Sequence, residues 1–143
     1  MELSAAQRER YERNLLVEGF TDRMQQALIA ARVAVVGAGG LGSAALNYLV
    51  AAGVGHLTLI ENDTVSLSNL QRQVLYTTAD MGRPKAEVAA MRLSRLNPGC
   101  DIRVVTARLA AANAAELLGG HDAVVDCTDN YDTRYVIDDF CRE

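Results

Sequence analysis

Arg32-Val33-Ala34-Val35-Val36-Gly37-Ala38-Gly39-Gly40-Leu41-Gly42 decides the fold of this chain. Five residues of a buried strand run straight into a glycine loop, and an apolar helical pattern starts at Leu41. Glycines at 37, 39 and 42 allow a tight turn and close approach of backbone to an anion. The free N–H groups and the positive dipole end of the helix then face that anion. No GxxxxGK[ST] motif occurs, so this is not a P-loop.

Outward from that stretch, strands and helices alternate. The helix from Leu41 to Ala52 carries a stripe of Leu41, Ala45, Leu49 and Ala52, and Gly53 and Gly55 end it. His56 to Glu61 is a second strand. Residues 62 to 82 are polar and irregular, a length that in a compact domain marks function. Pro84 is expected as the first helical residue of a helix over 83–96, with Ala86, Ala89, Leu93 and Leu96 buried. A strand over 101–105, a helix over 110–118, a strand over 122–126 and a helix from Asn130 follow. Before the first strand, Ser4-x-x-Gln7 is a capping box opening a helix to about Val17, and a second helix covers Asp22 to Ala31.

This order predicts an α/β fold, a Rossmann-like doubly wound, mostly parallel sheet in strand order 3-2-1-4. Residues 1–31 form an N-terminal helical arm of two helices, and residues 32–143 an ATP- or dinucleotide-binding domain. The sheet is expected to be truncated after the fourth strand and its helix.

Composition narrows the function. A net charge of -4 and the absence of Trp argue against a nucleic-acid platform. No apolar run of 18 residues occurs, so no membrane span is expected, and a cytoplasmic location is the default. Cys100, Cys127 and Cys141 are odd in number and widely spaced, which suits neither a disulfide framework nor a zinc site. Cys127 as a nucleophile is the weaker reading, because no His lies near it in sequence.

Several residues can carry chemistry. Glu61, about 20 residues past the loop, can accept ribose hydroxyls of NAD or ATP alike. Ser68-Asn69-Leu70-Gln71-Arg72-Gln73 puts amide and guanidinium donors where a polyphosphate would extend. Lys85 begins a helix, where a cation is unfavourable unless an anion joins it. Asp129 in Asp126-Cys127-Thr128-Asp129-Asn130 can hold Mg²⁺, or cap the last helix.

These residues resemble the ThiF/MoeB/HesA family, bacterial relatives of ubiquitin-activating enzymes. The resemblance is carried by Arg10-Tyr11-x-Arg13-Asn14, Gly37 to Gly42, Asp63-x-Val65-x-x-Ser68-Asn69-Leu70-Gln71-Arg72-Gln73, Gly82-x-x-Lys85 and Asp126 to Asn130. It implies ATP-dependent adenylation of the C-terminal glycine of a ubiquitin-like sulfur-carrier protein ending in Gly-Gly. By resemblance, Gly37, Gly39, Gly40, Gly42, Asp63, Ser68, Asn69, Gln71, Arg72, Lys85, Asp129 and Asn130 hold the nucleotide, with Glu61 on the ribose and Mg²⁺ on Asp129. Arg13 resembles an arginine that reaches the ATP of the other subunit of a homodimer; otherwise it is an exposed helix charge. Arg13, Arg72, Lys85 and Asp129 are thus the expected catalytic residues. The family's zinc cysteine pairs and partner-binding strands have no counterpart in these 143 residues, so zinc is not expected in this chain. Two alternatives stand beside this reading: an NAD-binding oxidoreductase domain, and a non-catalytic nucleotide-binding or dimerisation fragment.

Overall fold

The computed structural model describes residues 2–142. Four parallel strands form one sheet in the order β3-β2-β1-β4: β1 (Arg32–Val36), β2 (His56–Ile60), β3 (Asp101–Val105) and β4 (Ala123–Asp126). Each β1 residue meets its counterpart on β2 in register, from Arg32 opposite His56 to Val36 opposite Ile60. The order reverses between β1 and β4, so their carboxyl ends form the switch point at which such sheets bind ligands.

Both faces of the sheet are covered, which is why β1 is apolar and buried from Val33 to Val36 rather than alternating. Val33 and Val35 point into one core with Leu46, Val50, Leu59, Val88 and Leu93. That layer is α4 (Gly40–Ala52) and α5 (Lys85–Leu96). Ala34 and Val36 point the other way, into a core with Ile60, Leu109, Leu117 and Ile137. That layer is α6 (Ala111–Leu118) and α7 (Tyr131–Arg142). Among the described residues, no helix is long and apolar enough to cross a membrane.

The helix expected over 4–17 is two helices. The capping box forms at Ser4 and Gln7, but α1 (Ala5–Arg10) stops at Tyr11, and α2 (Glu12–Leu15) restarts beyond it. Tyr11 is buried and its hydroxyl accepts a 3.0 Å bond from Asn97, so docking against the domain overrides local helix preference. With α3 (Asp22–Ala30), the arm therefore has three short helices instead of two. The arm serves the C-terminal end of α4, whose last carbonyls lack intrahelical partners. Asn14 and Gln25 both donate to the Ala52 carbonyl at 3.0 Å, and Asn97 donates to that of Val50 at 2.9 Å. Gln25 is fully buried in doing so. Gly53 takes φ +104°, and a Cβ there would lie 2.5 Å from Gln25 Nε2.

One expected helical stripe is rotated, and the other holds at Ala86, Ala89 and Leu93 but widens at its start and loses Leu96. On α4 the buried residues are Gly42, Ser43, Leu46 and Val50, while Leu41 is exposed. The rotation is fixed at the helix start, because Gly42 packs directly on the Gly37 carbonyl. On α5, Lys85 and Val88 are buried with Ala86, Ala89 and Leu93, and Leu96 is exposed. Pro84 is the residue before α5 rather than its first turn. It pairs with Thr64 in a β-bridge that keeps it extended.

The Gly37–Gly42 contact admits no side chain at residue 42: a Cβ would stand 2.1 Å from the Gly37 carbonyl oxygen. Gly42→Ala is expected to cost about 3 kcal/mol, since backbone must move. At Gly40 an added Cβ meets only Arg72 side-chain atoms, at 3.5 Å. Gly40→Ala is expected to stay within about 1 kcal/mol of the parent chain, helped by alanine's helix preference. Thermal unfolding of the two variants checks the contrast, and equal melting temperatures would refute it.

Candidate nucleotide site

A cavity of about 780 Å³ opens along the carboxyl ends of the strands. Its walls come from the glycine loop after β1, from Glu61 to Asp63 after β2, from Ala107 to Leu109 after β3, and from Cys127 to Asn130 after β4. The long segment after β2 adds Asn69, Arg72 and Gln73, and α5 adds Lys85. One sheet edge therefore gathers residues spread over some two thirds of the sequence.

The glycine loop is held by both backbone groups of Ala38. Glu61 Oε2 accepts the Ala38 N–H at 2.8 Å, and the Tyr76 hydroxyl donates to the Ala38 carbonyl at 2.7 Å. Burial, then the negative charges of Glu61 and Asp63, push the Tyr76 phenol well above its ordinary value, so it stays a neutral donor. The other Glu61 oxygen accepts the Asp63 N–H at 2.8 Å. Each carboxylate oxygen carries a second lone pair, so Glu61 can still accept hydroxyls from the cavity.

Lys85 is 3% exposed, and its ammonium lies 2.6 Å from Asp63 Oδ2. That hydrogen bond holds the Asp63 carboxyl below the usual range, with help from the Thr64 N–H. The Lys85 N–H also bonds the Asp63 carbonyl at 2.9 Å. Arg72 lies against Gly40, and its guanidinium makes only a 3.4 Å bond to the Ser68 carbonyl. Two cations thus flank the loop, one buried and one exposed.

The long segment is braced by Asp80. Burial alone would raise its carboxyl, but the Thr77 N–H and hydroxyl, with Arg92 and Arg83, outweigh that and lower it. Arg92 spans from Asp80 to the Leu75 carbonyl, both at 2.5 Å. Past β4, Asp126 Oδ1 accepts the Thr128 N–H and hydroxyl, which turns the chain toward the cavity. The cap of α7 is Asn130, which accepts the Thr133 N–H at 3.0 Å; Asp129 is not the cap. Asp129 lines the cavity and makes no hydrogen bond or ion pair among the described residues. Burial, then Asp126, raises the Cys127 thiol, which keeps it protonated and a poor nucleophile.

The structure brings Gly37, Gly39, Gly40, Glu61, Asp63, Asn69, Arg72, Lys85, Asp129 and Asn130 to this cavity. Gly42 sits behind it, packed on Gly37. Ser68 and Gln71 are exposed and outside its wall. Arg13 is outside it too, with its side chain 87% exposed beside Glu12.

With this geometry in place, comparison with known proteins is decisive. The ThiF family model matches residues 11–143. The chain belongs to the ThiF family. It is 45% identical over 142 residues to the SAMP-activating enzyme E1 of Haloferax volcanii, covering 99% of this chain and 53% of that protein. It is 49% identical over 140 residues to the molybdopterin-synthase adenylyltransferase of Escherichia coli, covering 98% of this chain and 56% of that protein. Among solved structures it resembles E. coli tRNA N6-threonylcarbamoyladenosine dehydratase in complex with ATP. There the TM-score is 0.92 and the identity 32%, over 99% of this chain and 58% of that one. The chain thus spans about half the length of the curated relatives it matches.

Sequence reasoning left two parts of the site unassigned. The loop after β3 carries no motif, and only the strand order brings it to the cavity. Gln73 was visible as the end of the polar hexapeptide, but its burial was not. It is 4% exposed, and its Oε1 is buried without a partner. Such a group costs about 1–3 kcal/mol unless a ligand completes it. Gln73→Leu, similar in size, is expected to raise the melting temperature while weakening Mg-ATP binding about 10-fold. Calorimetry and thermal unfolding on one variant check both, and unchanged ATP affinity would leave Gln73 a packing residue only.

Proposed function

We propose that this chain supplies the ATP pocket for adenylation of the C-terminal glycine of a ubiquitin-like sulfur-carrier protein. The observation that carries the reading is the buried Lys85 ammonium, paired with the more exposed Asp63, in the cavity that Arg72 also lines. A dinucleotide site needs the loop and Glu61 but leaves these two cations without a task. A triphosphate extending from the helix start uses both. The names of the similar proteins, an adenylyltransferase and a protein bound to ATP, point the same way.

In this reading Glu61 accepts the ribose hydroxyls, and the Gly39 and Gly40 backbone approaches the phosphates. Lys85 exchanges part of its bond to Asp63 for phosphate oxygens. Asn69, Gln73 and Arg72 supply further donors. Ser68 and Gln71, exposed outside the cavity wall, reach a nucleotide only through their backbone or a small loop movement. Asp129, a carboxylate without a partner among the described residues, suits Mg²⁺, which takes one or two carboxylates plus phosphate oxygens. When bound, Mg²⁺ neutralises charge on the leaving pyrophosphate. The carrier's carboxylate oxygen forms a bond to the α-phosphorus as the bond to the bridging β-phosphate oxygen breaks. The carboxylate is ionised at neutral pH, so no protein base is required. The residues orient the reactants and stabilise the added charge.

The arm suits a homodimer. Leu16, Val17 and Met24 are exposed apolar residues on the arm that also carries Arg13, and Arg13 faces away from its own cavity. Across a two-fold interface Arg13 can serve the second copy's nucleotide.

Arg72→Ala is expected to lower ATP–pyrophosphate exchange with a Gly-Gly carrier at least 100-fold without changing the melting temperature. Near-normal exchange in that variant would end the phosphate assignment. Intact ATP binding by the parent chain with no exchange would favour a non-catalytic fragment, and tight NAD binding without ATP binding would favour the oxidoreductase alternative. Mixing Arg13→Ala chains with Asp129→Ala chains should restore activity, since one site of each mixed dimer then keeps both residues. No recovery on mixing would count against a shared site.

A further inference from the structure

We infer that Arg108 recognises the base of the bound nucleotide, its guanidinium closing over the adenine ring; this rests on the ATP reading above. The cavity lies along the strand ends in the order β3-β2-β1-β4, and its two sides differ in chemistry. The phosphate cations stand over the glycine loop and at the end of β2: Arg72 packs on Gly40, and Lys85 is tied to Asp63. Arg108 enters from the loop after β3, next to Leu109. Leu109 is 4% exposed and belongs with Val36 and Ile60 to the second core, and all three also line the cavity. An apolar wall on the side of that second core, away from α5 and its Lys85, fits a purine and offers a phosphate nothing.

The loop that presents Arg108 is fixed. Asn113 donates to the Arg108 carbonyl at 3.0 Å and accepts the Ala110 N–H at 2.9 Å, while Leu109 anchors the turn in the core. The side chain itself is exposed. Of the three cations lining the cavity, Lys85 is paired and Arg72 touches the Ser68 carbonyl. Arg108 makes no side-chain hydrogen bond or ion pair among the described residues. A rigidly based arginine with an uncommitted head, set at the rim of an apolar slot, has the chemistry to stack on an aromatic ring. The guanidinium is planar and weakly hydrated, whereas a lysine ammonium is compact and strongly hydrated.

The test titrates the full chain with adenosine, AMP and Mg-ATP, comparing the parent with Arg108→Ala and Arg108→Lys. Stacking predicts that Arg108→Ala weakens all three ligands by the same factor, about 2- to 5-fold for an exposed contact, and that Lys does not fully restore them. The melting temperature should not move. A loss that grows with phosphate number, fades in high salt and is rescued by Lys would make Arg108 an electrostatic steering residue and overturn the inference. So would parent-like affinities in Arg108→Ala. A parent chain that binds none of the three ligands would overturn the ATP reading itself, a result distinct from parent binding with an indifferent Arg108.

Discussion

The site depends on both backbone groups of Ala38 being held. Its N–H is taken by Glu61 and its carbonyl by Tyr76. Glu61 follows β2, Ala38 lies in the glycine loop, and Tyr76 lies on the long segment between β2 and α5, so one residue registers three segments. The segment could otherwise wander, since loops of this length lack an internal ladder. Here Tyr76 and the Asp80–Arg92 brace fix its second half, and the Thr64–Pro84 bridge closes the neck. Arg72 and Gln73 face the glycine loop as a consequence.

The same economy of polar contacts attaches the arm. Two carbonyls at the end of α4 accept three side-chain amide donors, two of them from the arm. These bonds are neutral and one of them is fully buried, while the positive pole of α4 lies at the other end, at the cavity. The arm thereby meets the far end of the helix whose start lies at the glycine loop.

What could be read in the sequence follows from what was local. The alternating strand and helix pattern required a covered parallel sheet, and all four strands fall within one residue of their expected ends. The glycine loop, Glu61, Arg72, Lys85 and Asp129 could be placed together because topology puts strand ends at one edge. Features set by tertiary contact were harder to see. The break at Tyr11 comes from its docking on Asn97, and the rotation of α4 comes from Gly42 meeting Gly37. Leu96 fits the apolar period of α5, but it is the last residue of that helix and is exposed. Arg108 lies in a loop without pattern, and only the β3 position beside β2 brings it in. The capping role fell to Asn130 rather than its neighbour Asp129 because a one-residue choice depends on how the turn after β4 closes.

At the junction of β1 and β4 the wall of the cavity is backbone against backbone. A Cβ on Gly37 would stand 2.8 Å from the Cys127 carbonyl oxygen, and one on Gly42 nearer still to Gly37. Substitution therefore has no purchase on this part of the pocket. A protein built this way can change which molecule it accepts by altering the side chains of the segments after β2, β3 and β4. The glycine loop is a fixed chassis, and the evolvable parts are the segments bolted around it.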